Sequence, residues 1–271
     1  MIQDFLRPES VDEAVALRKS KIDGCWYAGG SYINNADNGD VCGTAISLER
    51  LNLTDISVEG DFLKIGASIT LQVLIDTGIV PQILKDAAKQ ISIRNIRNAA
   101  TIGGNIGARS PESSMIPILV ALDAQLDCAE SGTISLETYI SDSLQDLILC
   151  VRIPSNPVAA AIHKISRTSS SPALVHTAVV LSPGSEPGSV KKARVVLNGI
   201  SGCVTRIQEV EEAIIAKSIS AGSLRDQETI QAAIAGVLNP DEDYRCSKEY
   251  KIYIASVIAA DCILECLRGL K

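Results

Sequence analysis

The chain has 271 residues and a formal net charge of -7, and aromatic residues make up only 3% of it. A chain of this length can bury a large core and is expected to hold two or three subdomains. The net charge is negative and the basic residues do not cluster, so the chain lacks the basic patch that is typical of a nucleic-acid-binding protein. Any phosphate group that the chain binds should therefore be held by backbone amides.

Signals for targeting or for membrane insertion are weak along the chain. The amino-terminal residues MIQDF lack the basic and apolar regions of a signal peptide. The most apolar stretch, 252–267, is shorter than the roughly 20 residues that span a bilayer, and it contains Asp261 and Glu265. We expect a cytoplasmic protein without a membrane segment, in which this stretch forms a buried helix.

The eight cysteines and two histidines do not form a pattern typical of metal binding. Iron–sulfur and zinc sites need clustered thiolates or imidazoles, and no Cys-x-x-Cys pair occurs, so no metal site is expected. The cysteines are interpreted mostly as small apolar residues in a reducing compartment. His163 and His176 are isolated from any serine or cysteine motif. No catalytic triad is therefore expected, and the chemistry should come from a cofactor.

The first predicted elements lead into a pair of glycines. A capping box at 10–13 predicts a helix over 11–19, and residues 25–28 have the pattern of a short strand. The run Gly29-Gly30-Ser31 follows this strand directly. Two adjacent glycines let backbone N–H groups approach an anion, so this loop is a candidate phosphate site.

A second glycine pair, Gly103-Gly104, follows an alternation of strands and helices. Strands at 45–48 and 62–67 and helices at 71–78 and 81–90 indicate an α/β subdomain. The two pairs lie more than seventy positions apart, and neither matches the G-x-G-x-x-G pattern of a single Rossmann turn. Two glycine pairs on separate segments could instead hold a diphosphate from two sides. Tight turns or close backbone packing are the alternative explanation for both pairs.

Prolines at positions 154 and 157 predict a linker between two domains. Before it, Pro117 belongs in the first turn of a helix, which Ser113 or Ser114 should cap, and three strands follow. After it, three strands predict an antiparallel sheet and three helices complete an α+β domain. The strands cover 124–128, 133–136, 147–153, 161–166, 174–181 and 190–197, and the last three helices cover 205–217, 223–238 and 247–270.

The run IRNAATIGGNI at residues 96–106 resembles the FAD-binding subunit of the molybdenum hydroxylases, the xanthine dehydrogenase and carbon monoxide dehydrogenase family. Five further blocks resemble that subunit in the same order, and they are RPES at 7–10, AGGS at 28–31, IGAS at 65–68, KISR at 164–167 and DYRCSKEY at 243–250. The resemblance covers nearly the whole chain, and the order and spacing of six blocks make it specific.

The resemblance implies an α+β fold and FAD as the cofactor. Residues 1–155 should form a two-part α/β FAD-binding domain of the vanillyl-alcohol-oxidase/p-cresol-methylhydroxylase type, with subdomains at about 1–55 and 56–155. Residues 160–271 should form a carboxy-terminal flavoprotein domain with a three-stranded antiparallel sheet and a helical bundle. In the family, electrons pass from a molybdenum cofactor subunit through a two-iron, two-sulfur subunit to this flavin and then to NAD or another acceptor.

Cofactor contacts are expected at positions that match the family's motifs, and neither a catalytic side chain nor a metal ligand is expected. The expected contacts are Ala28, Gly29, Gly30, Ser31, Tyr32, Ile33, Thr101, Ile102, Gly103, Gly104, Asn105, Ser114, Ile148 and Lys164.

Two of these positions depart from the family pattern. Tyr32 and Ser114 stand where family members commonly carry Asp. Contacts from the main chain would survive the presence of Tyr32. Ser114 can still cap a helix and donate one hydrogen bond, but it carries no charge. These two departures leave open a scaffold subunit that no longer binds flavin. A separate alternative keeps the flavin without the partners, as a self-contained FAD oxidase or reductase with its own substrate pocket.

Overall fold

A computed structural model describes residues 2–35, 42–91, 93–156, 158–168, 171–186, 188–201, 203–216, 224–240, 242–243 and 245–270. These described residues form twelve strands and ten helices. The strands are β1 (Asp4–Leu6), β2 (Gly24–Tyr27), β3 (Thr44–Ser47), β4 (Ile56–Glu59), β5 (Phe62–Gly66), β6 (Gln125–Cys128), β7 (Gly132–Ser135), β8 (Ile148–Pro154), β9 (Ala159–Ser166), β10 (Ala173–Pro183), β11 (Val190–Ser201) and β12 (Cys203–Arg206). The helices are α1 (Val11–Ser20), α2 (Leu71–Asp76), α3 (Gln82–Lys89), α4 (Arg94–Ala99), α5 (Ile102–Ala108), α6 (Met115–Ala121), α7 (Leu136–Ser141), α8 (Gln208–Ile215), α9 (Leu224–Val237) and α10 (Lys248–Gly269).

The chain divides into two compact units that interleave along the sequence. The first unit comprises Met1–Val80, Ile93–Arg109 and Ala124–Pro154, and the second comprises Pro81–Ser92, Ser110–Asp123 and Ser155–Lys271. Two short segments that precede residue 155 thus group with the second unit. The division of the chain into domains at 1–155 and 160–271 stays a prediction.

The first unit contains two sheets. In the smaller sheet, β3 lies between β1 and β2 and pairs with both in parallel. In the larger sheet, neighbouring strands are antiparallel in the order β4-β5-β8-β6-β7. Helix α1 begins as predicted, because the Ser10 hydroxyl accepts a hydrogen bond from the Glu13 amide at 3.2 Å. The helix buries Ala14 in a core with Ile46 and Leu48, which holds in place the strand that leads into the first glycine pair.

Two of the eight cysteines are exceptions to their interpretation as mostly small apolar residues in a reducing compartment. Cys25 in β2 and Cys42, two residues before β3, form a disulfide with their Cα atoms 5.7 Å apart. Parallel pairing of β2 with β3 sets Cys25 opposite Ala45 and so brings the two cysteines together. Their spacing in the sequence does not indicate this contact, because it depends on which strands pair.

The second unit is built on one antiparallel sheet with the strand order β12-β11-β10-β9. The three predicted strands are present, and β12 adds a fourth strand where the sequence pattern had suggested the start of a helix. Thr205 pairs with Leu197, and Arg206 pairs with Val196. A β-branched residue such as Thr205 favours a strand, so helix α8 begins only at Gln208.

Most of the stretch 252–267 in the carboxy-terminal helix α10 is buried, as its composition predicts. Residues such as Ala255, Ala259 and Ile263 are fully buried in the core of the second unit, where the helix packs against β9 and β10. No helix in the described ranges is both long and apolar enough to cross a membrane.

A buried histidine in β10 makes the second unit sensitive to acid. The Nε2–H group of His176 donates to the carbonyl oxygen of Glu112 at 3.1 Å, and burial lowers the pKa of this imidazole to about 3. In an unfolded chain the pKa of a histidine is about 6.5. Between these two pH values the unfolded state binds the additional proton, so stability falls as the pH drops below about 6.5.

We expect the wild-type chain to lose about 2 kcal/mol of unfolding free energy through His176 between pH 7.5 and pH 5. The His176→Gln variant should lack this part of the pH dependence when urea unfolding is measured at both pH values. His163→Gln is the matched control, because His163 is partly exposed beside Glu265. An identical pH dependence in the wild type and in His176→Gln would contradict the assignment.

Candidate cofactor site

A cavity of about 550 Å³ lies within the first unit, and this volume is in the range of small-molecule and cofactor sites. Strand β2 and the loop after it form one wall, helix α5 forms another, and the segment that leads into β8 closes a third. The predicted contact residues that line it are Ala28, Gly29, Gly30, Ser31, Tyr32, Ile33, Thr101, Gly103, Gly104 and Ile148. The cavity therefore brings together both glycine pairs, which are far apart in the sequence.

The first glycine pair forms a loop with unused amides. Within the described part of the chain, the N–H groups of Gly29, Gly30 and Ser31 donate to no protein acceptor. A side chain at Gly29 would place its Cβ 1.6 Å from the carbonyl oxygen of Ala99, and Gly30 has a φ of +67°. Both glycines are therefore required by the backbone, one for close approach and one for its left-handed conformation. Successive free amides at a turn of this kind form a concave site for an anion.

The second glycine pair is not a loop but the first turn of helix α5, which corrects the interpretation of both pairs as loops. The Gly103 amide donates to the carbonyl oxygen of Ala67 at 2.9 Å, and the Gly104 amide donates to Thr101 Oγ1 at 3.0 Å. Gly103 also packs closely, because a Cβ there would lie 2.7 Å from the Cβ of Ala67. Both glycines therefore allow close packing and line the cavity without side chains. Their N–H groups are already hydrogen-bonded within the protein.

Four predicted contact residues do not line the cavity. Ile102 is fully buried in α5, and Asn105 lies one turn further along the same helix. Ser114 and Lys164 belong to the second unit. The Ser114 hydroxyl donates to the carbonyl oxygen of Ala87 at 2.8 Å, and the Lys164 ammonium donates to the carbonyl oxygen of Gln90 at 3.1 Å. Burial lowers the pKa of Lys164.

The cap of helix α6 involves the two serines that the sequence predicts for it. Ser114 occupies the position before the helix, but its side chain makes no capping hydrogen bond. The Ser113 hydroxyl accepts instead from the Ile116 amide at 3.1 Å. Pro117 lies in the first turn, as expected for a residue without an N–H group.

Arg109 is a cavity residue that the sequence motifs did not reveal. It follows α5 with a φ of +46°, which is uncommon for a residue other than glycine. Its guanidinium lies 4.9 Å from the ring centroid of Tyr139, and its Nη2 donates to the carbonyl oxygens of Tyr139 and Leu144. Its Nε is buried without an acceptor, and its Nη1 donates to none of the described residues. The one sequence signal was that no other basic residue lies between Arg97 and Arg152.

The ionisable groups of the cavity wall are largely engaged with the protein. The Asp146 carboxylate accepts from the amides of Glu130 and Ser131, and the Asp23 carboxylate accepts from the Thr44 hydroxyl at 3.2 Å. Burial raises the pKa of Tyr139 to about 12, and its hydroxyl donates to the carbonyl oxygen of Asp146 at 3.0 Å. Tyr139 is therefore a neutral donor near pH 7 and is not suited to act as a general base.

These features define a nucleotide-cofactor protein of the α+β class, with a glycine-loop cavity in one unit and a sheet covered by helices in the other. Residues 1–156 match the family model described as the FAD binding domain in molybdopterin dehydrogenase, and residues 160–266 match the CO dehydrogenase flavoprotein C-terminal domain. The chain therefore belongs to the family of FAD-binding subunits of the molybdenum hydroxylases. It is an oxidoreductase component, and its cofactor is FAD, as the sequence resemblance predicted.

Three relatives illustrate this membership. The Escherichia coli protein YgfM is 33% identical over 98% of this chain and 97% of its own length. Caffeine dehydrogenase subunit beta from Pseudomonas sp. is 24% identical over 96% of this chain and 93% of its own. Carbon monoxide dehydrogenase from Hydrogenophaga pseudoflava, in a form which lacks the Mo-pyranopterin moiety, has a TM-score of 0.87 at 24% identity, covering 99% and 98% of the two chains. The predicted fold class is confirmed by this likeness.

Proposed function

We propose that the cavity holds FAD with its diphosphate on the amides of Gly29, Gly30 and Ser31. The observation that carries this proposal is the set of three consecutive N–H groups that donate to none of the described residues, on the wall of a cavity of about 550 Å³. Backbone amides suit a diphosphate because they are directed donors whose geometry is fixed by the fold. The cavity wall holds as many aspartates as arginines, so side-chain charge alone would not retain such an anion.

The remaining lining residues would position the cofactor without taking part in proton transfer. Ala28 and Ile148 supply apolar surface, and Gly104 leaves room along helix α5. FAD supplies the redox chemistry when it is bound, since it accepts and releases electrons. The protein binds and orients it and limits the access of water. The roles of Ile102, Asn105, Ser114 and Lys164 as cofactor contacts stay predictions from the resemblance.

We also propose that the chain acts as the electron-transfer subunit of a molybdenum hydroxylase complex. Its partners would be a two-iron, two-sulfur subunit and a molybdenum cofactor subunit, and the acceptor would be NAD or another oxidant. Support comes from relatives named as subunits or medium chains of dehydrogenases. The described residues hold no group of His, Cys, Asp and Glu that could bind a metal, so metal centres would have to belong to partner chains.

The test is purification of the chain from its native source under mild conditions, with a visible spectrum and identification of the released cofactor. About one FAD per chain, together with copurifying iron–sulfur and molybdenum subunits, is the expected result. FAD without partner chains would favour a self-contained oxidoreductase. A colourless chain that also fails to take up added FAD would favour a scaffold subunit. Reduction of the bound flavin by NADH would identify NAD as the acceptor.

Arg109 should contribute to FAD affinity through the free donor of its guanidinium. We expect Arg109→Met to raise the dissociation constant of FAD about tenfold, because a hydrogen bond from a charged donor is lost. Quenching of FAD fluorescence on titration into the apoprotein measures this effect. Arg50→Met is the matched control, since Arg50 is exposed and pairs only with Glu9 among the described residues. Equal affinity in Arg109→Met and the wild type would show that Arg109 serves only to hold the cavity wall.

A further inference from the structure

The disulfide between Cys25 and Cys42 encloses the loop that carries the unbonded amides. Cys25 lies in β2, three residues before Ala28, and Cys42 lies two residues before β3. The run Gly29-Gly30-Ser31 therefore lies inside a covalently closed loop. Such a crosslink restricts the conformations that the enclosed segment can adopt.

The two bonded cysteines differ in accessibility, since Cys42 is buried. Cys25 is only partly buried and lines the cofactor cavity. Cys128, Cys262 and Cys266 are buried free thiols, and burial raises the pKa of Cys128 and of Cys266 to about 12. Those thiols are unreactive near pH 7, because the thiolate is the species that reacts. Cys150 and Cys246 are free thiols that are partly buried like Cys25. The Cys25–Cys42 pair is therefore distinguished by its disulfide and by the place of Cys25 on the cavity wall.

We propose that Cys25 and Cys42 form a thiol–disulfide exchange site whose reduction lowers the affinity of the chain for FAD. The reactant is a small thiol or a dithiol. Its thiolate attacks one sulfur of the pair, the S–S bond breaks, and a mixed disulfide forms. A second thiol then attacks the mixed disulfide. The chain gains two electrons and two protons as two thiols, and the reagent leaves as one disulfide.

The physical link to affinity is the ordering of the glycine loop, so this inference rests on the proposed position of FAD. With the crosslink intact, the loop is already restrained before the diphosphate binds. After reduction, the glycine loop has more conformational freedom before FAD binds. Binding must then order the loop, and this entropic cost lowers the affinity for FAD. Strand pairing between β2 and β3 and the contacts of Asp23 with Gly43 and Thr44 do not depend on the disulfide. The expected effect is consequently partial, about a tenfold rise in the dissociation constant.

The experiment uses the full chain as apoprotein, purified without reductant and split into oxidised and dithiothreitol-treated samples. Alkylation followed by mass spectrometry identifies which cysteines are free in each sample, and FAD titration gives the dissociation constant. We expect Cys25 and Cys42 to be protected only in the oxidised sample, which binds FAD about tenfold more tightly. Reoxidation should restore the tighter binding. Samples treated with glutathione or with a protein dithiol distinguish a monothiol from a dithiol reactant.

Two sets of variants make the result specific. Cys25→Ser and Cys42→Ser should each bind FAD like the reduced wild type and should not respond to dithiothreitol. Cys150→Ser, which removes a partly buried free thiol outside the cavity lining, should keep the full response. Equal affinity in the oxidised and reduced samples would overturn the exchange site and leave the FAD site intact, as would free Cys25 and Cys42 thiols in the oxidised sample. Absence of FAD binding in both samples would instead overturn the proposed function, and the inference with it.

Discussion

Replacement of Gly29 by alanine should reduce FAD affinity at least a hundredfold, the largest effect that we expect on cofactor binding. The new Cβ would lie 1.6 Å from the carbonyl oxygen of Ala99 and 2.5 Å from its carbonyl carbon. Neither backbone atom can move away freely, because the Ala99–Ala100 segment leads directly into the cap of α5. The glycine loop must shift instead, and its three unbonded amides shift with it.

Fluorescence titration of FAD into the variant measures the lost affinity, and urea unfolding measures the cost of overpacking, about 1–3 kcal/mol. Gly78→Ala is the matched control. No atom lies within 4 Å of a Cβ at Gly78, and its φ is not positive, so both measurements should match the wild type. Tight FAD binding by Gly29→Ala would mean that the loop does not hold the diphosphate.

Asp243→Asn should destabilise the chain by about 3 kcal/mol, the largest effect on stability that we expect. The Asp243 carboxylate accepts from Arg245 Nη2 at 2.7 Å and from Lys251 Nζ at 2.8 Å. Lys251 is only 1% exposed. Burial tends to raise the pKa of Asp243, but the hydrogen bonds from Arg245 and Lys251 outweigh it and hold that pKa well below its usual range. Asparagine keeps the shape of the side chain but removes the negative charge beside a buried ammonium group.

Urea unfolding at pH 7 gives the free-energy difference for this substitution. Glu265→Gln is the control in the same unit, since the Glu265 side chain is 62% exposed in its pair with His163. Exposed pairs contribute about 0–1 kcal/mol, so the control should unfold close to the wild type. A loss in Asp243→Asn no larger than that of the control would show that Lys251 is compensated without Asp243.

The sequence predicted the first glycine loop better than the second. A short strand followed by two glycines and a polar residue is a local pattern, and this pattern is enough to predict a turn at 28–31. The second pair is predicted as a phosphate-binding loop because adjacent glycines leave backbone N–H groups accessible to an anion. It is helical instead, although glycine is unfavourable inside a helix by roughly 1 kcal/mol relative to alanine. Tertiary packing reverses this preference, since a Cβ at Gly103 would collide with Ala67. Contacts between distant segments are not visible in a local pattern.

Two other features of the site also cannot be predicted from local sequence patterns. The disulfide depends on the pairing of β2 with β3, and the position of Arg109 depends on the carbonyl groups of Tyr139 and Leu144. Both need the strand order of the first unit, which alternating strands and helices do not specify. The antiparallel sheet of the second unit was predictable, because its long strands carry continuous apolar runs joined by turn residues.

The interleaved course of the chain constrains the order in which the protein can fold during synthesis. Helix α6 is buried along its entire length, and it packs on β10 and β11, which the ribosome produces more than fifty residues later. Until those strands emerge, this apolar helix has no sheet to cover it, and such exposed segments are prone to aggregate. A fragment that ends at residue 155 would keep α6 permanently uncovered. The FAD-binding half should therefore be insoluble when expressed alone, although its cavity is built entirely from earlier residues.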